Sequence, residues 1–416
     1  MEKRNILLIT VDSLRRDSIR NMPTLNSFAK DHSHFTRAYT NGPSTPFSFP
    51  SLFNRNYDPI EDPIKIREPT LTEDLNNHGY ETLGLVASNP YISALSGYQR
   101  GFETFEDFIT SEGREVRREM WNVFQRFPNV FQNLRDVYRW YFKEDITSSL
   151  SGKVISQKSK EWLSEFKSKK RPFFFWIHFM DTHYPYTPPL EQTDFSISRI
   201  TSLNNFRKKR NIEDTEDSKK RIEELKELYA DASRWLDEQM LILFNFLKAI
   251  DLWGRTDIVV TSDHGEGFGE HGFLGHPSQL YEEVVNIPLI AKIKEVSGGQ
   301  ERIVEMRDIP ATFSLTPTRF GRSLKERKDE DRTVPLRARH AGGRSCMKKG
   351  MNLISRPESL KYGIYGFVTE QYKFIYDEEG QKIELYDITE DPDETSDISS
   401  EKEDLVEYFK FKLSRD

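Results

Sequence analysis

One cysteine, Cys346, is all the chain contains, which excludes an intramolecular disulfide framework and a cysteine-rich metal site. Nor does any stretch approach the roughly 18 to 20 consecutive apolar residues that cross a bilayer. The N-terminal MEKRNILLITVDS carries basic residues but only a short apolar run before Asp12, so the h-region of a signal peptide is lacking. These absences set the expectation of a cytoplasmic protein without a transmembrane segment. A surplus of positive charge is lacking too: 60 Lys and Arg face 67 Asp and Glu, for a net charge of -7 and a pI near 5.9. Gripping nucleic acid requires clustered, uncompensated cations. No nucleic-acid partner is therefore expected, and a small-molecule or glycan partner fits better.

What is present is an alternation of buried strands and amphipathic helices. NILLITV (5–11), ETLGLVA (81–87), PFFFWIHF (172–179) and DIVVTSD (257–263) are near-continuous apolar runs of the kind that fill a central strand covered on both faces. Between them, TLNSFAKDH follows Pro23 and TLTEDLNNHG ends in a glycine stop signal. ELKELYADASRWLDEQMLILFNFLKAI repeats Leu225, Leu228, Ala232, Trp235, Leu243 and Leu247 near helical spacing. The pattern predicts an α/β fold: a mostly parallel sheet sandwiched by helices. Chemistry in such sheets gathers beyond the carboxyl ends of the strands, so Asp12, Asp181, Asp263 and His264 are expected to converge on one edge.

Residues 114–143 mix aromatic and basic side chains at helical spacing and read as a helical insertion. A lid, a subunit contact, a peripheral membrane face and plain packing are all open there. Residues 202–222 read as a solvated mixed-charge loop and helix start. After about residue 318 the composition changes. YGIYGFVT, YKFIYDEEG and KIELYDI predict a small antiparallel sheet with a turn at Glu379-Gly380. The expected division is a catalytic domain over 1–317 and a smaller α+β subdomain over 318–416.

The densest chemistry lies in SDHGEGFGEHGFLGH, residues 262–276. Asp263 and His264 leave a strand together, and carboxylate plus imidazole suits Zn or Mn, whereas Ca or Mg prefers oxygen throughout. His271 and His276 are candidates for ligands, oxyanion donors or proton donors. HFMDTHYPYTPP (178–189) sets Asp181 and His183 after another strand. TNGPSTPFSFPSLF (40–53) crowds four hydroxyls among prolines and a glycine.

Taken in order with NILLITVDSLRRD, LYEEVVNIPLI and the terminal ELYDITEDPDE, these blocks resemble the sulfatase family of the alkaline phosphatase superfamily over roughly residues 4–315. The resemblance implies a metal held by Asp12, Asp263, His264 and the nucleophile's oxygen, with His183 and His276 facing the ester. A second metal at Asp181, His183 and His276 is a further option. The chain departs from the family pattern where Ser13 replaces a second aspartate and His264 an asparagine, which moves the site from Ca toward Zn or Mn. The family's nucleophile, a formylglycine made inside a C/S-x-P-S-R signature, is not expected here: Cys346 lies elsewhere and Ser48 stands where the arginine belongs. An unmodified hydroxyl replaces it, Thr45 ahead of Ser44, as in the superfamily's threonine-using members. The Ser44 frame also sets Arg55 where sulfatases hold a basic residue, so Ser44, Arg55 and His271 are substrate-binding candidates. The implied activity is hydrolysis of a sulfate or phosphate ester, phosphodiesters included. A phosphoalcohol transferase and a non-catalytic binding relative are the alternatives.

Overall fold

The computed structural model describes residues 3–62, 64–67, 69–108, 148–208, 214–276, 278–326, 331–339, 363–378 and 380–415. The expected insertion at 114–143 lies outside the described residues, as does Glu379 of the expected turn. The described strands are β1 (Asn5–Val11), β2 (Ser33–Tyr39), β3 (Glu81–Val86), β4 (Thr104–Glu106), β5 (Phe173–Phe179), β6 (Thr256–Ser262), β7 (Gly267–Phe268), β8 (Leu274–Gly275), β9 (Asn286–Lys292), β10 (Gln300–Glu305), β11 (Val334–Arg339), β12 (Gly363–Val368), β13 (Tyr372–Asp377) and β14 (Lys382–Asp387).

Eight strands form the main sheet in the order β10-β2-β9-β6-β1-β5-β3-β4. The four apolar runs read from sequence are β1, β3, β5 and β6. They lie side by side and parallel. Alternation along each strand sends side chains to opposite faces. In β1, Leu7, Ile9 and Val11 enter one core and Ile6 and Leu8 the other; in β5, Phe173, Phe175, Ile177 and Phe179 part from Phe174 and Trp176 in the same way. The first core is closed by the helices Pro23–Asp31, Ser148–Glu165 and Glu216–Ala249. The second is closed by Thr45–Phe53, Leu71–Asn77 and Asp308–Phe313. Thr70 and Glu73 start the Leu71 helix with a capping box, satisfying two backbone donors reciprocally.

The sheet is mixed because β9 runs antiparallel to both β6 and β2. Strand direction is set by what the neighbouring strands leave open. Residues 202–207 are not the solvated loop expected of them: they complete a helix, Ile197–Arg207, that buries Leu203 and Phe206. A second sheet, β11-β12-β13-β14, is antiparallel throughout, and its far face is covered by the helix Glu403–Arg415 through Val406 and Phe409.

The two sheets are tied together by a buried charge cluster. Arg332 reaches Asp308 at 2.6 Å and Glu305 at 2.7 Å, while Arg307 closes on Glu305 at 2.8 Å. Asn41 donates to the same Glu305 carboxylate at 2.8 Å. Removing one partner of such a buried network strands the others in a low-dielectric interior. Arg332→Met is expected to lose about 3–5 kcal/mol of stability in chemical denaturation; a loss below about 1 kcal/mol would show that the cluster is solvated.

Candidate active site

Because β6, β1 and β5 are parallel neighbours, the residues that follow them emerge on one edge. Asp12 continues β1 and bonds through its N–H to Phe179 O of β5 at 2.9 Å; Asp263 continues β6, its N–H 3.4 Å from Val11 O. Both carboxylates are fully buried. Ser13 adopts a left-handed φ of 61°, uncommon for a residue with a Cβ, and this turn aims its N–H at Asp263 Oδ1, 3.1 Å away. Its hydroxyl donates to Asp12 Oδ1 at 3.0 Å. A hydrogen-bonding alcohol thus stands where the family resemblance leads one to expect a second carboxylate.

The loop 40–44 delivers the hydroxyl. Its backbone is clasped by β11, where Arg337 N–H donates to Asn41 O at 2.9 Å. A Cβ on Gly42 would lie 2.8 Å from Arg337 O and 2.4 Å from Phe47 Cβ, so only glycine permits this approach. Thr45 opens the helix, and its Oγ1 stands 3.0 Å from Asp263 Oδ2 and 3.3 Å from Asp12 Oδ2. Ser44 is the residue before the helix, half-buried, its carbonyl accepting from Phe47 and Ser48 N–H.

His264 completes the group. Its Nδ1 is held on Gly265 O at 2.9 Å, leaving Nε2 buried with no hydrogen-bond partner, 3.4 Å from Asp263 Oδ2 and 3.7 Å from Asp12 Oδ1. Two ligands of a tetrahedral Zn ion stand about 3.4 Å apart, given bonds of about 2.1 Å. The distances from His264 Nε2 and Thr45 Oγ1 to the two carboxylates, between 3.0 and 3.7 Å, lie near that spacing, and His264 Nε2 has no other hydrogen-bond partner. These residues fit a divalent metal.

Burial and the Asp12 charge push the Asp263 carboxyl well above the ordinary carboxylate range. Asp12 goes the other way: burial opposes its ionisation, but His183, His178 and His264 outweigh it and hold the carboxyl low. Burial, then His276, lowers the His264 imidazole to about 3, so the ring is neutral and available as a ligand. Sequence reading missed two groups behind Asp12. Asn89 donates to its Oδ2 at 2.9 Å. His178 of β5 points Nε2 at the same oxygen from 3.7 Å, its Nδ1 held by Thr10 Oγ1 at 2.8 Å.

His183 and His276 stand beside this group, their ring centroids 5.9 Å apart, with His276 4.1 Å from the ring of His264. Burial lowers the His183 pKa. Behind His276 lies a residue the sequence did not single out, Glu266, which is fully buried and also meets Arg207 and Tyr186. In Glu266, burial is outweighed by Arg207 and then His276, and the carboxyl is held well below its usual range.

Three candidates are placed differently from the sequence expectation. Arg55 is buried against Asp74 at 3.4 Å and the carbonyls of Thr316 and Pro317, both at 2.9 Å. Its guanidinium is used in tertiary packing and is not offered to a substrate at the carboxylate pair. His271 sits at the tip of the β7-β8 hairpin, stacked on Tyr281 at 3.8 Å, with Nδ1 2.9 Å from Glu283 and Nε2 3.3 Å from Glu394 O. It joins the hairpin to the C-terminal subdomain. Asp181 accepts from Gly152 N–H at 3.1 Å, near the start of the Ser148–Glu165 helix. Among the described residues, Asp181, His183 and His276 do not gather into a metal-sized group; those that do are Asp12, Asp263 and His264, and His271, Glu283 and Glu394. For the optional second metal, Asp181 is placed beside the Gly152 N–H.

A parallel-centred α/β sandwich with a carboxylate-imidazole cluster at the strand ends is the arrangement of an alkaline-phosphatase-like hydrolase. The sulfatase family model matches residues 4–313, and the chain belongs to the sulfatase family, among hydrolases of sulfuric or phosphoric esters. Solved structures with the same fold include the phosphonate monoester hydrolase of Agrobacterium radiobacter, at a TM-score of 0.70 and 17% identity over 99% of this chain and 95% of that one. A second is the phosphonate monoester hydrolase of Silicibacter pomeroyi, at 0.71 and 16% over 99% and 95%. A third is BT4656 in complex with its substrate D-glucosamine-2-N,6-O-disulfate, at 0.72 and 16% over 99% and 97%. No curated relative matches the chain by sequence. Among the described residues no helix is long and apolar enough to cross a membrane.

Two outcomes follow from this geometry. Dialysed protein is expected to retain Zn or Mn near one equivalent by elemental analysis and to lose it in Asp12→Ala and Asp263→Ala; equal retention in these variants would remove the site. For His271, burial lowers the pKa, but Glu283 and the Glu394 carbonyl more than offset this and raise it above 6.5. The stabilisation it supplies is thus complete below the unfolded pKa and lost as pH rises through the raised folded value. His271→Gln is expected to lower the melting temperature more at pH 6 than at pH 9, and an equal drop at both would contradict the ionic contact.

Proposed function

We propose that the protein hydrolyses a sulfuric or phosphoric ester of a small molecule or glycan through a covalent ester on Thr45, with one divalent metal. The observation that carries this reading is the position of Thr45 Oγ1 between the Asp12 and Asp263 carboxylates at the start of a helix. Ser44 precedes the helix as its N-cap. Asp12, Asp263 and His264 would hold a divalent ion, which would lower the pKa of the Thr45 hydroxyl and offset charge developing on the ester oxygens. The nitrogen ligand His264 favours Zn or Mn over Ca.

In the first step Thr45 Oγ1 forms a bond to sulfur or phosphorus, its proton leaving to the buried carboxylate pair, and the bond to the leaving oxygen breaks. His183 or His276 donates the proton that turns the departing alkoxide into an alcohol. The two rings are neighbours, with His276 against His264, and they also face charge on the non-bridging oxygens. In the second step water attacks the threonine ester, a histidine takes the water's proton, and Thr45 leaves as the hydroxyl by taking back the proton held on the carboxylate pair.

Purified protein supplied with Mn, Zn or Ca, assayed on an aryl sulfate, a phosphate monoester, a phosphodiester and a phosphonate ester, tests the reading. Turnover on at least one is expected, reduced by about three orders of magnitude or more in Thr45→Ala and far less in Ser44→Ala. Loss confined to Ser44→Ala would sink the Thr45 assignment. An absence of turnover under every metal would sink hydrolysis itself.

A further inference from the structure

Glu266 has no part in the two steps above, yet both its oxygens are engaged with full burial. Oε1 meets Arg207 Nη2 at 3.0 Å and His276 Nδ1 at 3.1 Å; Oε2 meets the Tyr186 hydroxyl at 2.7 Å and Arg207 Nη2 at 3.2 Å. We propose that Glu266 is a positioning residue: it keeps hydrogen on His276 Nδ1, so that Nε2 is the nitrogen presented to the reacting ester. The role of His276 in turnover rests on the hydrolase reading; its tautomer does not.

The assignment follows from donor counting. Arginine only donates, and the tyrosine hydroxyl donates here, so Glu266 acts as acceptor toward both. The third contact is favourable only if His276 Nδ1 carries a hydrogen; a bare Nδ1 lone pair facing a carboxylate 3.1 Å away is repulsive. This leaves Nε2 as the nitrogen not engaged by Glu266. Imidazoles at metal sites are oriented by carboxylates in the same manner, but here the oriented ring is the neighbour of the candidate ligand His264 rather than a ligand itself.

The support is also rigid. Glu266 N–H bonds to Glu283 O at 3.2 Å and Gly265 N–H to Val284 O at 2.7 Å. A Cβ on Gly265 would fall 2.1 Å from Glu283 O, so the backbone beneath Glu266 is seated where only glycine allows it. On the far side, Gly275 has a φ of +99°, and a Cβ there would meet Arg207 Nη2 at 2.4 Å. The helix Ile197–Arg207 and the β7-β8 hairpin are therefore locked together on either side of His276.

Glu266→Gln alone would leave Arg207 as an unpaired buried cation and risks unfolding the protein. The double variant Glu266→Gln/Arg207→Met removes both charges. Long-range imidazole nitrogen NMR reads the tautomer, with the His276 signals identified by their loss in His276→Gln. Wild type is expected to carry hydrogen on Nδ1; the double variant should show a mixture, with kcat down about ten- to a hundredfold and KM within about threefold. Tyr186→Phe, which leaves the ion pair in place, should keep the wild-type tautomer. A bare Nδ1 in wild type, or a double variant with unchanged tautomer and kcat within about twofold, would overturn the proposal. Failure of every ester assay would overturn the hydrolase reading alone, since the tautomer measurement does not require turnover.

Discussion

The site is organised around two carboxylates, Asp12 and Asp263, buried completely and brought to the same hydroxyl. Two such groups repel one another and lose their hydration, so everything around them supplies compensation. Ser13 and His264 donate backbone N–H groups to Asp263 Oδ1, and Asn89 and the Ser13 hydroxyl donate to Asp12. What these donors leave open faces Thr45 and His264 Nε2, which is where a cation would relieve the repulsion. The strained φ of Ser13 and the close seating of Gly42 are local costs that persist because this arrangement requires them.

A second layer of charge holds the loops that face the cluster. The hairpin β7-β8 has Glu266 at its root and His271 at its tip, so one end meets Arg207 and the other meets the C-terminal subdomain. There Lys373, fully buried, lies 3.2 Å from Glu282 and 2.8 Å from Glu394. Burial alone would lower the Lys373 pKa, but Glu394 and then Glu282 raise it above the ordinary lysine value. The antiparallel sheet thereby acts as a buttress to the segment that carries His276, and its first strand clasps the loop before Thr45. A hairpin fixed at both ends can hold an imidazole at one orientation, which loops with free tips do not.

Much of the fold was legible because burial on both faces leaves a plain mark. Runs such as NILLITV and PFFFWIHF have few other uses than as central strands, and the helices between them carried clear start and stop signals. The edge and the direction of strands were less legible: Asn286–Lys292 is as apolar as its neighbours yet runs antiparallel, since pairing depends on which hydrogen-bonding edge is free. The same contrast holds in the site. Asp12, Asp263 and His264 stand out by following strands, whereas Glu266 reads as one acid in a glycine loop and Arg207 as one cation in a mixed-charge run. Arg55 and His271 show the converse, since a charged residue near a motif can be spent on tertiary contacts such as Asp74 and Glu283.

The sequence by itself therefore determined the parallel core, the family, and the residue types at the strand ends, because periodicity and short motifs are local and survive without coordinates. Only the tertiary structure decided which hydroxyl meets the carboxylates, that Asp181 turns to a helix backbone, and that Glu266 stands behind His276. Those outcomes depend on ångström-scale approach between segments as far apart as Asp12, Arg207 and Glu266. Nothing in their local composition encodes that separation.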